Sequence, residues 1–321
     1  MPGRVHILDG VEYAAVLGYR PLLLDLYLPV PDEPVPGPGA SPGQARPPLP
    51  VVLFLHGGGW GLGTRREVGP PFDGWRPSFF ERLAQEGFAV ASADYRLTGE
   101  ATFPAQLHDV KAAVRWLRRN AGEYGLAGER IVAWGASAGG HLAALLGLTG
   151  DVPGLEGAVG EERLPGPPRP GSAVDLPVVS SAVAAVVDWY GPTDLLSMDA
   201  QSGGSGPMRH DAPESPESRL IGGRLSELPG LARIASPVSH VRPGAPPFLI
   251  MHGTADHAVP LAQSQSLADA LAAAGSPAET AWIGGSDHMW LGAPDVEEIF
   301  ASSVDFARRV TSAAEGSVAR G

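Results

Sequence analysis

Residues 130–148 read RIVAWGASAGGHLAALLGL. The run RIVAWG has the length and apolar character of a strand buried on both faces, and AGGHLAALLGL has the composition of a buried helix. Between them lies Gly135-Ala136-Ser137-Ala138-Gly139. A G-x-S-x-G that joins a strand to a helix is a nucleophile elbow: only small residues fit around the serine, whose hydroxyl is pushed out above the sheet. Ala138 opens the helix, so its N–H has no intrahelical partner and faces any negative charge that develops there. The plain alternative is a glycine-rich turn where a helix packs closely on a strand, and the rest of the chain has to decide between the two.

On both sides of this stretch, short apolar runs alternate with amphipathic stretches of about ten to eighteen residues, the pattern of a mostly parallel sheet with helices on both faces. The expected class is therefore α/β. Strands are expected at 22–28, 51–56, 88–94, 130–135, 184–190, 247–252 and 278–283, and helices at 75–86, 104–124, 138–148, 260–274 and 295–311. In the second helix Val110, Val114 and Leu117 form a core-facing stripe, which leaves Lys111, Arg115 and Arg118 to face solvent. One domain is expected over 1–321. Three segments break the alternation. Residues 30–50 are so rich in Pro and Gly that they read as a surface loop, and 151–178 and 197–218 read as insertions that are candidate lids, the alternative being plain exposed loops.

Composition removes several classes. There is no cysteine, hence no disulfide, thiolate metal site or Cys nucleophile. The formal net charge of -12 argues against nucleic acid as a partner. No apolar run approaches the roughly 18 to 20 residues of a membrane span, and the opening MPGRVHILDGVEYAAV does not read as a secretory signal, so a cytoplasmic address is expected. There is no H-E-x-x-H and no clustered His at metal spacing, so the metal assignment is none.

The elbow is reinforced by His56-Gly57-Gly58-Gly59-Trp60, which follows the strand-like VVLFL. Consecutive glycines let a backbone aim N–H groups at a ligand, so Gly58 and Gly59, with Ala138, are the candidate oxyanion-hole donors. A serine hydroxyl needs a base, and the base a carboxylate that orients it. Asp256 follows the strand-like PFLIMH, and His288 follows AETAWI. The chain order Ser137, Asp256, His288 is that of the α/β-hydrolase triad, each member at a strand end. His257 adjoins Asp256 and is poorly placed to turn back on it, Asp287 adjoins His288 in the same way, and His141 lies one turn beyond Ser137, where a structural contact is expected. His56 is expected to anchor its loop by hydrogen bonding. Trp60, Met289 and Trp290 flank the hole and the base and are candidate substrate-binding residues, with core packing as the alternative.

These motifs resemble the α/β-hydrolase esterases that carry HGGG and GxSAGG, around the hormone-sensitive-lipase and acetylxylan or feruloyl esterase families. The likeness runs through LDLYLP, HGGGW, ADYRL, FPAQLHD, GASAGGHLA, DWYGPTDL, HGTAD and DH. It implies a serine carboxylesterase acting on small or short-chain acyl esters, with Ser137, Asp256 and His288 as triad, Gly58, Gly59 and Ala138 as hole, and no cofactor. Hormone-sensitive-lipase relatives usually have an acidic residue before the serine and a helical cap ahead of the first strand. Here Ala136 stands before Ser137 and sheet-like sequence begins early, which shifts the likeness toward the carbohydrate-esterase branch. A formamidase group that opens N-formylkynurenine shares the HGG-x-W motif, and a non-catalytic binding module on the same fold is the alternative of another class. The implied partner is a small-molecule ester; the oligomeric state stays open, a homodimer included.

Overall fold

A computed structural model describes residues 3–30, 47–157, 179–203, 209–276 and 278–318. Most of the 30–50 loop, residues 158–178 of the first insertion and 204–208 of the second lie outside the described residues. The strands are β1 (Val5–Ala14), β2 (Leu22–Pro29), β3 (Leu49–Leu55), β4 (Ala89–Ala93), β5 (Leu126–Ala136), β6 (Ala185–Trp189), β7 (Phe248–Gly253) and β8 (Ala278–Ile283). They form one sheet in the order β1-β2-β4-β3-β5-β6-β7-β8. β1 and β2 pair antiparallel, as do β2 and β4; every pairing from β4 onward is parallel. Because β3 sits between β4 and β5, the chain leaves it toward one edge and returns on its other side. A crevice forms at such a reversal, above the carboxyl ends of the strands, and that is where ligands meet open α/β sheets.

The helices are α1 (Phe79–Gln85), α2 (Ala105–Arg119), α3 (Ala121–Tyr124), α4 (Ala138–Leu148), α5 (Met198–Gln201), α6 (Pro216–Ile221), α7 (Pro229–Ile234), α8 (Leu261–Ala273) and α9 (Val296–Val318). Alternation along β3 shows why they cover both faces: Val51, Leu53 and Leu55 point to one core and Val52 and Phe54 to the other. The first core takes Val110, Val114 and Leu117 of α2, Leu142 and Leu145 of α4 and Leu267 of α8. The second is aromatic, with Phe79 and Phe80 of α1 and Phe300 of α9 packed against Phe54, Trp134 and Trp189. This is the α/β-hydrolase architecture.

Three differences from the sequence expectation have physical causes. β1 was absent from the expected strands because its pairing with β2 is irregular between Leu8 and Val11, around Gly10, which breaks the period-2 pattern. α1 starts at Phe79, not residue 75, because Ser78 and Glu81 form a capping box just after Pro77. The third concerns α2, where Lys111 and Arg115 were expected in solvent and are instead fully buried. The chain after α4 folds over this face: Lys111 Nζ donates to the Thr149 carbonyl at 2.6 Å, and Glu156 pairs with both Lys111 and Arg115. Arg118 is half-buried and donates to the carbonyls of Gly128 and Ala182. Periodicity identified the apolar stripe but could not show that a later segment would cover its flank.

Glu156, partly exposed itself, therefore supplies the counter-charge to two buried cations. Glu156→Ala is expected to destabilise the fold by about 3–5 kcal/mol, because two buried cations lose the carboxylate they share. Urea unfolding at neutral pH measures this, and a shift within about 1 kcal/mol would show that water reaches Lys111.

Candidate active site

Ser137 sits between β5 and α4 at φ 56°, ψ -120°. That conformation is strained for a residue with a side chain, and it persists because the surroundings fix it. Ser137 N–H donates to the Trp189 carbonyl at 2.8 Å, and its own carbonyl accepts from His141 N–H at 3.0 Å. The helix comes so close to the sheet that a Cβ on Gly139 would lie 1.9 Å from the Leu55 carbonyl oxygen, which is why the elbow needs small residues.

The second loop leaves β3 through His56 and Gly57. Gly58, at φ 106°, accepts from Gly61 and Leu62 N–H groups, closing a tight turn that no Cβ could enter. His56 anchors it as expected: its Nδ1–H donates to the Gly57 carbonyl at 2.7 Å, and its ring stacks on Tyr95 at 4.3 Å, whose hydroxyl donates to the His56 carbonyl. Burial pushes the His56 imidazole down to about 4, so it stays neutral.

His288 lies on a short helical turn after β8. Its Nε2 is 2.9 Å from Ser137 Oγ, and its Nδ1 is 2.7 Å from Asp256 Oδ2. Asp256, on the loop after β7, has a fully buried carboxylate. Its Oδ1 accepts from the N–H groups of Ala258 at 2.9 Å and Val259 at 2.8 Å. Burial raises the pKa of this carboxyl, but hydrogen bonds from His252 and His288 outweigh burial and hold it well below the usual carboxylate range. Three residues separated widely in sequence are thus joined in one hydrogen-bonded chain. Asp287, the neighbouring carboxylate, turns away and accepts from the backbone N–H groups of His257 and His288.

Ser137 and His288 open onto a cleft of about 500 Å³, lined also by Gly58, Gly59, Val68, Tyr190 and Met289, with Glu67 and Asp73 on its wall. Met289 is 38% exposed on the cleft wall. Trp60 and Trp290 are corrected: both are 1% exposed and belong to the core. Trp60 donates its indole N–H to His141 Nδ1 at 3.1 Å, while His141 Nε2–H donates to the Ala235 carbonyl at 2.6 Å, so His141 is the structural residue expected. Trp290 packs edge-on against Trp189 and Tyr190. Met289 has φ 59°, which turns successive side chains to opposite sides, Met289 outward and Trp290 inward. Pro216 of α6, in the second insertion, packs beside Gly59 and lines an adjoining groove with Thr98 and Arg219.

Sequence reasoning missed Tyr190, whose ring meets His288 edge-on at 4.9 Å, and His252, whose Nε2 lies 3.1 Å from Asp256 Oδ2. A signal existed for each, since both lie in the quoted stretches DWYGPTDL and HGTAD. It also missed Asp188, fully buried under the elbow, whose Oδ1 accepts from Gly191 N–H at 2.9 Å. Burial pushes its pKa from 3.8 to about 6. A carboxyl whose folded value is raised stabilises fully below about pH 4 and loses that contribution as pH rises through about 6. Asp188→Asn, which keeps an oxygen for Gly191, is expected to gain stability over the parent by up to ~3 kcal/mol between about pH 4 and pH 8. Paired denaturation curves across that range measure it; a gap that does not vary with pH would contradict it.

Among the described residues there is no group of three or more His, Asp or Glu able to hold a metal ion, and no helix long and apolar enough to cross a membrane.

An α/β-hydrolase sheet with a serine, a histidine and an aspartate in one hydrogen-bonded chain defines the class of protein. The chain belongs to the BD-FAE family, which it matches over residues 40–271. It is similar to two proteins of Mycobacterium tuberculosis: Esterase LipQ, 31% identical over 74% of this chain and 49% of that one, and Esterase LipC, 33% identical over 70% and 49%. It thus spans about half the length of these curated relatives. Among solved structures, a truncated carbohydrate esterase from gut microbiota is 27% identical with a TM-score of 0.73, covering 97% of this chain and 98% of that one. The apo form of Thermogutta terrifontis esterase 2 is 26% identical with a TM-score of 0.67, covering 96% and 95%.

Proposed function

We propose that this protein is a serine carboxylic-ester hydrolase acting on small or short-chain acyl esters through an acyl-enzyme. The observation that carries the reading is the chain Ser137 Oγ, His288 Nε2, His288 Nδ1, Asp256 Oδ2, with links of 2.9 and 2.7 Å, at the floor of an open cleft. His288 takes the Ser137 proton as Oγ attacks the ester carbonyl carbon. The N–H groups of Gly58, Gly59 and Ala138 receive the oxyanion. The leaving alcohol takes the proton from His288, and water then repeats the sequence to release the acid and restore Ser137. Asp256 keeps the His288 ring in the tautomer with hydrogen on Nδ1 and stabilises its positive charge. No step calls for a cofactor.

Short acyl groups are supported by Thermogutta terrifontis esterase 2, which has been solved with propionate and with butyrate bound. Glu67 and Asp73 on the cleft wall disfavour esters with negative charge near the carbonyl. Pro216 beside Gly59 supports the second insertion as one wall of the entrance. The proposal includes a cytoplasmic address, tested by cell fractionation. A second reading, removal of acetyl groups from a carbohydrate, is favoured by the carbohydrate esterase structure at TM-score 0.73.

The experiment is a substrate panel: p-nitrophenyl acetate, butyrate and octanoate, a hemisuccinate ester, acetylated xylo-oligosaccharides, a feruloyl ester and N-formylkynurenine. Acetate and butyrate esters are expected to exceed octanoate at least about tenfold in kcat/KM; a cleft that buried the longer chain would reverse the order, since each buried CH₂ supplies roughly 0.8 kcal/mol. Hydrolysis of none of these compounds would leave the binding-module reading standing.

A further inference from the structure

The carboxylate of Asp256 has a second imidazole on it. His252, at the end of β7, is fully buried, and its Nε2 lies 3.1 Å from Asp256 Oδ2 and 2.9 Å from the Val259 carbonyl oxygen. Neither of those oxygens carries a hydrogen, since Asp256 is held ionised, so the His252 proton must be on Nε2. Its Nδ1 faces Ser264 Oγ at 2.7 Å, so both ring nitrogens have partners. The two oxygens of Asp256 are thereby held differently. Oδ1 is fixed by two backbone N–H groups, whereas Oδ2 is shared between His288, whose ring must carry a proton back and forth, and His252, whose ring is locked.

We infer that His252 is a positioning residue of this site, which clamps Asp256 Oδ2 so that His288 stays aligned on Ser137 through both proton transfers. The inference rests on the proposed role of Ser137, His288 and Asp256. A clamp of this kind acts on the reacting geometry and leaves substrate binding alone, because His252 does not line the cleft. An imidazole misplaced by a fraction of an ångström loses rate, and misplacement near 1 Å costs about a hundredfold.

Two variants separate the clamp from mere packing. In His252→Gln the side-chain amide nitrogen reaches the place of the imidazole Nε2 and can still donate to Asp256. In His252→Asn the amide ends near Nδ1, keeps a partner in Ser264 and falls short of Asp256. With p-nitrophenyl acetate, His252→Asn is expected to lower kcat about ten- to hundredfold with KM within about threefold, and His252→Gln to recover most of the loss. A low-field proton resonance from the His288 Nδ1–H bond to Asp256 is expected in the parent and in His252→Gln, and broadened in His252→Asn. Equal kcat in the parent and His252→Asn, equal losses in both variants, or a change confined to KM would each overturn the inference. Wild-type turnover that survives Ser137→Ala would instead overturn the reading beneath it, and the inference with it.

Discussion

Ser137→Ala is expected to lower kcat/KM for a short-chain ester by about 10⁴-fold or more and to abolish labelling by a fluorophosphonate. The size follows from what Ser137 supplies. Without its oxygen no acyl-enzyme forms, and catalysis falls back on the glycine N–H groups and on whatever water can enter the cleft. The fold should survive, since Ser137 is held by backbone hydrogen bonds to Trp189 and His141 that alanine keeps, and alanine relieves none of the strain at φ 56°. Covalent capture of a related protein has been seen structurally: Thermogutta terrifontis esterase 2 has been solved phosphorylated by paraoxon. Titration of active sites with the fluorophosphonate, alongside steady-state kinetics, checks both halves. Retention of a tenth of the parental rate would remove Ser137 from the mechanism and, with it, the esterase proposal as framed.

What the sequence made legible follows from how local each feature is. The elbow could be read from 130–148 because the strand, the turn and the helix are consecutive and each excludes other side chains; α4 begins and ends where its apolar composition placed it. Asp256 and His288 could be read because strand ends in a parallel sheet face one side, so order along the chain stands in for position in space. Non-local contacts were not legible. Whether Trp60 and Trp290 turn inward depends on single left-handed residues and on acceptors from distant helices, such as His141. The burial of Lys111 depends on Glu156, 45 residues later. His252 was passed over because it was read as lacking a partner, although it opens the HGTAD stretch at the end of β7, four residues before Asp256 on the loop that follows. The irregular β1 escaped for the opposite reason, a local defect that hides a long pairing.

Asp256→Asn carries the second large expectation, a fall in kcat of about 10⁴ with KM little changed. Substituting an amide for a carboxylate is often treated as mild, but here the neighbours dictate which way the amide turns. Ala258 and Val259 each present an N–H to Oδ1, so the asparagine oxygen is pinned there and its NH₂ takes the place of Oδ2. That NH₂ then faces His288 Nδ1 and the Nε2–H of His252. His288 can satisfy it only by giving up the hydrogen on Nδ1 and carrying it on Nε2, where it points at Ser137 Oγ and cannot accept a proton. His252 can turn its tautomer in the same way, with Nδ1–H donating to Ser264 Oγ, but its Nε2 then gives up the bond to the Val259 carbonyl, which should cost roughly 1–3 kcal/mol of stability. Nitrogen-15 spectra of the His288 ring would show the tautomer exchanged, and kinetics would show the rate loss at constant KM. Replacement of Asp287, spent on the backbone N–H groups of His257 and His288, should not exchange the tautomer. If Asp256→Asn stayed within tenfold of the parent while Asp287→Asn collapsed, the acid would have to be reassigned to Asp287, and the 2.7 Å contact between His288 and Asp256 would be a bystander.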